Sequence, residues 1–148
     1  TQRKLNSVLS VSSMVNLSVK FLGTVPRAEI PMLARSSHLM YCAEVNPPCP
    51  NSVIEAMACG LPVIGFDSGA LKELVSDDAG CIVPYGANPW KLETPDISVL
   101  AESAGQVLEK QNQFSPTGTM RAAARKRAEA EFGLDQMVDS YLKVLLDD

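Results

Sequence analysis

The residues best placed to do chemistry lie in one stretch, Pro47 to Pro62, with the sequence PPCPNSVIEAMACGLP. Pro47, Pro48 and Pro50 keep the chain extended or turning, because proline cannot sit inside a helix and restricts the residue before it. Asn51 and Ser52 are both favoured N-cap residues. Ser52 with Glu55 three positions on has the spacing of a capping box, which by itself accounts for the carboxylate. The N–H groups of Asn51, Ser52 and Val53 would open the helix without intrahelical partners, at the positive end of its dipole. Such an end holds anions, phosphate above all. Cys49 is not read as a nucleophile, since no base or cation stands near it in sequence to lower its pKa. No group of His, Cys, Asp and Glu has metal-ligand spacing, so neither a protein-bound metal nor a resident cofactor is expected.

The elements that must position this stretch follow from pattern. Residues 1–18 are weakly patterned, with Leu5, Val8, Leu9 and Ser12 on one face of a short helix. Val19 to Gly23 reads as a strand and Thr24-Val25-Pro26 as a turn. A short helix runs to Ala34, starting near Glu29 because Pro31 is tolerated only in a first turn. His38 to Ala43 is a second, largely apolar strand. The pivotal helix is rich in small residues (Ala56, Ala58, Cys59) and is expected to lie close to a sheet, with Gly60 ending it in a left-handed conformation. Pro62–Phe66 is a third strand, Leu71–Ser76 a helix with Glu73 in its first turn, and Gly80–Pro84 a fourth strand. Strand and helix alternate, and the strands are apolar without a two-residue alternation. That predicts an α/β fold: a parallel sheet of about four strands with helices on both faces, over 19–84.

After a loop from Tyr85 to Pro95, three helices are expected over 97–148. Ile97, Leu100, Ala101, Ala104, Val107 and Leu108 hold one amphipathic face. Met120, Ala124, Ala128 and Phe132 recur every four residues. Leu134, Met137, Val138, Tyr141, Leu142 and Leu145 form the cleanest stripe. Gln111 to Gly118 is a polar linker.

Length and composition bound the rest. The 148 residues make one domain, large enough for a real core. With 46% hydrophobic and 20% charged residues the chain has the balance of a soluble globular protein. No apolar run approaches the ~20 residues of a membrane span, and no secretory signal is read. A net charge of -4 gives no electrostatic case for nucleic acid. Of the four cysteines, Cys42, Cys59 and Cys81 lie in apolar runs and read as small buried hydrophobes, consistent with a reducing cytoplasm. His38, the single histidine, reads as structural or solvent-facing. Arg121, Arg125, Lys126 and Arg127 read as a solvated helix face, with peripheral contact to an anionic membrane as the alternative.

The segment CPNSVIEAMACGLPVIGFDSGALKELV resembles the donor-binding segment of family 4-type retaining glycosyltransferases of the GT-B fold. The resemblance extends upstream through VKFLGTVPRAEIPMLARSSHLMYCAE, downstream to GCIVP, and more weakly into MRAAARKRAEAEFGLDQMVDSYL. It implies the C-terminal, donor-binding half of such an enzyme, a Rossmann-like unit truncated on its N-terminal side. The activity implied is transfer of a sugar from a UDP- or GDP-linked donor to an acceptor, with the nucleoside diphosphate as leaving group. It implies that Glu55 accepts hydrogen bonds from the ribose hydroxyls, a task that suits a carboxylate because it accepts from both and donates nothing. It implies that the backbone N–H groups of Asn51, Ser52 and Val53 hold the diphosphate, that Pro47, Cys49 and Pro50 wall the donor-sugar pocket, and that Thr24 and Val25 contact the base. The family carries a second acidic residue eight positions before Glu55, where this chain has Pro47. Glu44, a little upstream, is the nearest substitute.

The same resemblance implies that an acceptor domain and part of the donor sheet belong to the parent enzyme rather than to this chain. Either the strands Val19–Gly23 and His38–Ala43 then pair directly, or a second chain fills the open edge, making a homo-oligomer. Two rival readings stand beside the enzyme. A non-catalytic module that keeps the fold and has lost the chemistry would explain Pro47 and the short length. An unrelated flavodoxin-like or receiver-like domain would need a phosphate loop or an acidic cluster at strand ends, and neither is evident.

Overall fold

The computed structural model describes residues 19–76, 78–112 and 119–146. The expected N-terminal helix face at Leu5 to Ser12 and most of the linker 111–118 lie outside the described residues. The strands are β1 (Met40–Tyr41), β2 (Val63–Asp67) and β3 (Gly80–Pro84). The helices are α1 (Ile30–Ser36), α2 (Asn51–Ala58), α3 (Leu71–Leu74), α4 (Ile97–Asn112), α5 (Thr119–Glu131) and α6 (Leu134–Leu146). Single 3-10 turns at Arg27–Glu29 and Pro89–Lys91 complete the set.

The sheet is parallel, in the order β1-β2-β3. Met40 stands beside Val63, and Val63 beside Gly80. Its two faces read directly from β2. Val63 points into one cluster with Val53 and Met57 of α2, Leu71 and Leu74 of α3, and Ala124 and Ala128 of α5. Ile64 and Phe66 point into the other, with Val83, Tyr85 and Leu100 and Val107 of α4. Alternate side chains on one strand feeding two buried clusters is the signature of a sheet covered on both sides.

The expected sheet of about four strands has three. Val19–Gly23 forms no strand; Val19, Phe21 and Leu22 are exposed. A run of apolar residues is a strand only when a neighbouring strand takes its backbone groups, and β1, whose described partner is β2 alone, does not take these. Direct pairing of Val19–Gly23 with the second strand is therefore not what the structure has. The second strand itself shrinks from His38–Ala43 to two residues.

Close packing of α2 on the sheet side follows from its small residues and from its end. Gly60 adopts φ +72. Its N–H donates to the Met57 carbonyl at 2.8 Å and the Leu61 N–H to the Ala56 carbonyl at 2.9 Å, closing a Schellman motif. A Cβ at Gly60 would stand 3.3 Å from the Arg121 carbonyl oxygen, so the missing side chain also admits α5.

The basic residues of α5 are not the solvated face expected from sequence. The Arg121 guanidinium donates to the Ser37 and Arg35 carbonyls at 2.9 and 3.1 Å. Arg125 donates to the Ala58 carbonyl at 2.8 Å and pairs with Glu129. Arg127 donates to the Leu74 and Glu73 carbonyls, both at 2.7 Å. Each arginine caps the C-terminal end of a different helix, α1, α2 and α3 in turn, where last-turn carbonyls lack partners and the dipole is negative. Lys126 is exposed. At the other extreme no residue of α6 is buried, although its stripe is the cleanest in the chain.

Candidate donor-binding site

Ligand sites of open parallel sheets lie beyond the carboxyl ends of the strands. In this chain those ends lead into three loops: Cys42 to Pro50, Ser68 to Ala70, and Tyr85 to Asp96. They are fastened to one another. The Ala70 N–H donates to the Pro47 carbonyl at 2.8 Å. Gly69 adopts φ +56, and a Cβ there would collide with the backbone of Pro47 and Asn46. Asn46, itself left-handed at φ 54, donates from Nδ2 to the Pro89 carbonyl at 3.1 Å, while its Oδ1 is buried without a partner.

The first loop ends on Pro50, which is extended (φ -74, ψ 102) and is itself the N-cap of α2. That moves the N-cap two residues ahead of Ser52, the N-cap that a capping box requires. No side chain caps α2, and Ser52 and Glu55 do not act as a reciprocal pair. The capping-box account of Glu55 is thereby removed. Asn51 and Ser52 are exposed in the first turn, with backbone N–H groups at the positive end of the helix. Val53 is different from what the sequence suggests: its N–H donates to the Pro50 carbonyl at 2.9 Å and its side chain is fully buried.

Glu55 lies one turn into α2 and is exposed. Its Oε1 stands 3.9 Å from Arg27 Nη2, an exposed pair on the rim of a groove of 600 Å³. The groove runs between α1 and α2, floored by Leu39, Met40 and Leu61 and rimmed by Arg27, Ser52 and Glu55. Arg27 is a residue that sequence reading missed. The only signal for it was its place immediately after the turn Thr24-Val25-Pro26.

Thr24 and Val25 do not share this groove. They line a separate shallow cavity of 320 Å³ with Leu22, Glu29, Met32 and Ser36. Of the expected sugar-pocket residues, Pro47 and Pro50 are buried and Cys49 is exposed. The structure thus brings Arg27, Ser52 and Glu55 together and leaves Thr24, Val25 and the Pro47 ring apart from them. Among the described residues no group of His, Cys, Asp and Glu could hold a metal ion. No helix there is long and apolar enough to cross a membrane.

A family profile described as Glycosyl transferases group 1 matches residues 2–109. The chain belongs to the group 1 glycosyltransferases. Among solved structures, sucrose-phosphate synthase from Thermosynechococcus elongatus superposes with a TM-score of 0.72 at 22% sequence identity. That alignment covers 99% of this chain and 35% of the synthase, so the chain matches about a third of that protein's length. At this identity the likeness is one of fold, a GT-B-like arrangement. No curated protein matches the sequence. For a group 1 glycosyltransferase domain, the loops at the carboxyl ends of β1, β2 and β3 are the side on which a donor is to be sought. Glu55 and Arg27 are the charged pair on the rim of the groove that runs along α2, which no residue of the three carboxyl-end loops lines.

Proposed function

We propose that this chain supplies part of the donor side of a retaining glycosyltransferase that takes its sugar from a UDP- or GDP-linked donor. Glu55 accepts both ribose hydroxyls. The first-turn N–H groups of Asn51 and Ser52 face the diphosphate, on which charge develops as the glycosidic bond breaks. Fixed donors aimed at that charge are worth about 3 kcal/mol each in comparable sites. Arg27, next to Glu55, adds positive charge within reach of the same diphosphate. Thr24 and Val25 meet the base, and the loop carrying Cys49 borders the sugar. The acceptor domain comes from the remainder of a longer enzyme, so the isolated chain binds donor weakly and does not turn over. The open edge of β1 is covered by that remainder or by a second copy, and the domain works in the cytoplasm.

The observation that carries this reading is Glu55 itself: an exposed carboxylate one turn into α2 with no capping duty. Calorimetric titration of the chain with UDP and with GDP, beside Glu55→Ala, tests it. Binding lost in the variant supports the ribose role and identifies the base. Equal binding by both proteins removes it. One observation favours a second reading, a non-catalytic module: Pro47, at the position where the family resemblance implies an acidic residue, is fully buried. A folded chain that binds neither nucleotide at millimolar concentration is the outcome that reading predicts.

A further inference from the structure

The loop after β3 carries a feature that the donor reading does not use. Trp90, the single tryptophan of the chain, is 79% exposed, and Leu92 beside it is 75% exposed. A large aromatic ring left in water usually sits on a mobile segment or serves a ligand. This segment is braced on every side. Asn88 Oδ1 accepts from the Trp90 and Lys91 N–H groups at 3.0 and 3.3 Å. Glu93 Oε2 accepts from the Asn88 N–H at 2.8 Å, and the Glu93 N–H donates to the Asn88 carbonyl at 3.2 Å. The buried Tyr85 donates its hydroxyl to the Glu93 carbonyl at 2.7 Å, and its main-chain carbonyl accepts from the Asp96 N–H at 3.0 Å. Asn46, from the loop that leads to α2, donates to the Pro89 carbonyl. The indole is therefore held out on a fixed backbone, on the ligand side of the sheet, and is tied to the loop that feeds α2.

We propose that Trp90 is a stacking platform for a pyranose ring of the saccharide that this glycosyltransferase domain handles. The inference rests on the glycosyltransferase reading. A pyranose has an apolar C–H face that matches the indole in size, and hydroxyls at its edge that the flanking exposed Lys91 and Glu93 can meet. An indole presents a wide apolar face, which suits the C–H face of an amphipathic ring. A protein partner fits less well. One indole and one leucine offer a patch far below the ~800 Å² that each side of a stable interface buries. A nucleobase fits less well on the function proposed above, which gives the base to the turn Thr24-Val25, and no residue of this loop lines the cavity at that turn.

Because Trp90 is the only tryptophan, its emission reports the site directly. The 148-residue chain is titrated with UDP, UDP-glucose, GDP-mannose and maltotriose, and Trp90 emission and acrylamide quenching are followed. Trp90→Ala and Trp90→Phe are titrated by calorimetry. Protection by a nucleotide sugar, but not by UDP, places the donor sugar on the ring. Protection by maltotriose places the acceptor there. Either supports the proposal if Trp90→Ala weakens that binding roughly tenfold, the effect of losing one stacking partner, and Trp90→Phe retains most of it. Equal protection by UDP and by the nucleotide sugars means a base stacks there and overturns the proposal. Unchanged emission with all four probes overturns it too. If UDP or GDP still binds in a Glu55-dependent way, that failure leaves the donor reading standing; if it does not, both fall.

Discussion

Arg27 Nη2 stands 3.9 Å from Glu55 Oε1, across the mouth of the groove between α1 and α2. The two side chains are 94% and 53% exposed, and a pair so open to water contributes at most about 1 kcal/mol to stability. Its significance is local. It places a cation and a carboxylate side by side one turn into a helix whose N-terminus no side chain caps, on the groove rim that Ser52 shares.

Stability and binding should therefore respond differently to Glu55→Ala. A capping carboxylate would cost about 1 kcal/mol of stability on removal. Glu55 does not cap, so thermal unfolding of Glu55→Ala should fall within about 0.5 kcal/mol of the parent. Nucleotide binding should fall by about 2 kcal/mol, roughly thirtyfold, through loss of hydrogen bonds to a charged group. Arg27→Ala should leave the fold intact and weaken UDP more than uridine. A Glu55→Ala protein that is clearly destabilised yet binds normally would return the residue to a structural role.

The site was half legible in the sequence. That a helix opens near Asn51 and Ser52 and carries Glu55 was legible, because a proline-rich turn followed by polar residues is a local signature. The capping box failed because Pro50, extended and adjacent, is a competing N-cap that its dihedral angles favour. Gly80–Pro84 was read to the residue, since a glycine and a proline bracket an apolar run. Val19–Gly23 was misread for the opposite reason: apolarity says nothing about whether a neighbouring strand is there. The three arginines of α5 were beyond sequence reading, because their carbonyl partners lie 53 to 86 positions away.

Those arginines give the second prediction. Arg127 is partly buried and makes two 2.7 Å hydrogen bonds to the end of α3. Arg127→Ala should lower stability by about 2 kcal/mol, from charge-assisted hydrogen bonds lost and carbonyls left without partners. For a chain of this size that is a drop of roughly 6 °C in Tm. Lys126→Ala, one position away and exposed, should change Tm by less than about 1 °C. Differential scanning calorimetry on the pair decides it, and equal effects would mean that the arginine hydrogen bonds contribute nothing.

Two glycines should respond with opposite signs to alanine. Gly105, inside α4, has nothing within 4 Å of a built Cβ. Gly105→Ala should stabilise by about 0.8 kcal/mol through helix propensity. Gly69 is left-handed, and a Cβ there would run into the backbone of Pro47. Gly69→Ala should destabilise by about 3 kcal/mol or more, because neither backbone can yield cheaply. Urea unfolding measures both. A neutral Gly69→Ala would show that the loops after β1 and β2 are not locked together.

The cysteines predict how the protein behaves in alkali. Burial pushes the Cys42 thiol above its ordinary range, and the Glu44 carboxylate pushes it further, while a backbone hydrogen bond from Glu44 acts in the other direction. Partial burial, with Cys42 and Tyr85 nearby, also raises Tyr41, although half of that residue is exposed. For both groups the protonated, neutral form is the one the fold favours. Below the unfolded thiol pKa of about 8.5, folded and unfolded chains hold the same proton and stability is full. Above it the unfolded thiol ionises first, so stability falls as pH rises toward the folded value. Reactivity should follow burial as well as pKa. A thiol-specific reagent at mildly alkaline pH should label exposed Cys49 first and Cys42, only 4% exposed, at a rate limited by opening of the sheet edge. Peptide mapping over time reads that order directly. Labelling of Cys42 as fast as Cys49 in the folded protein would mean that β1 does not shield its own strand end.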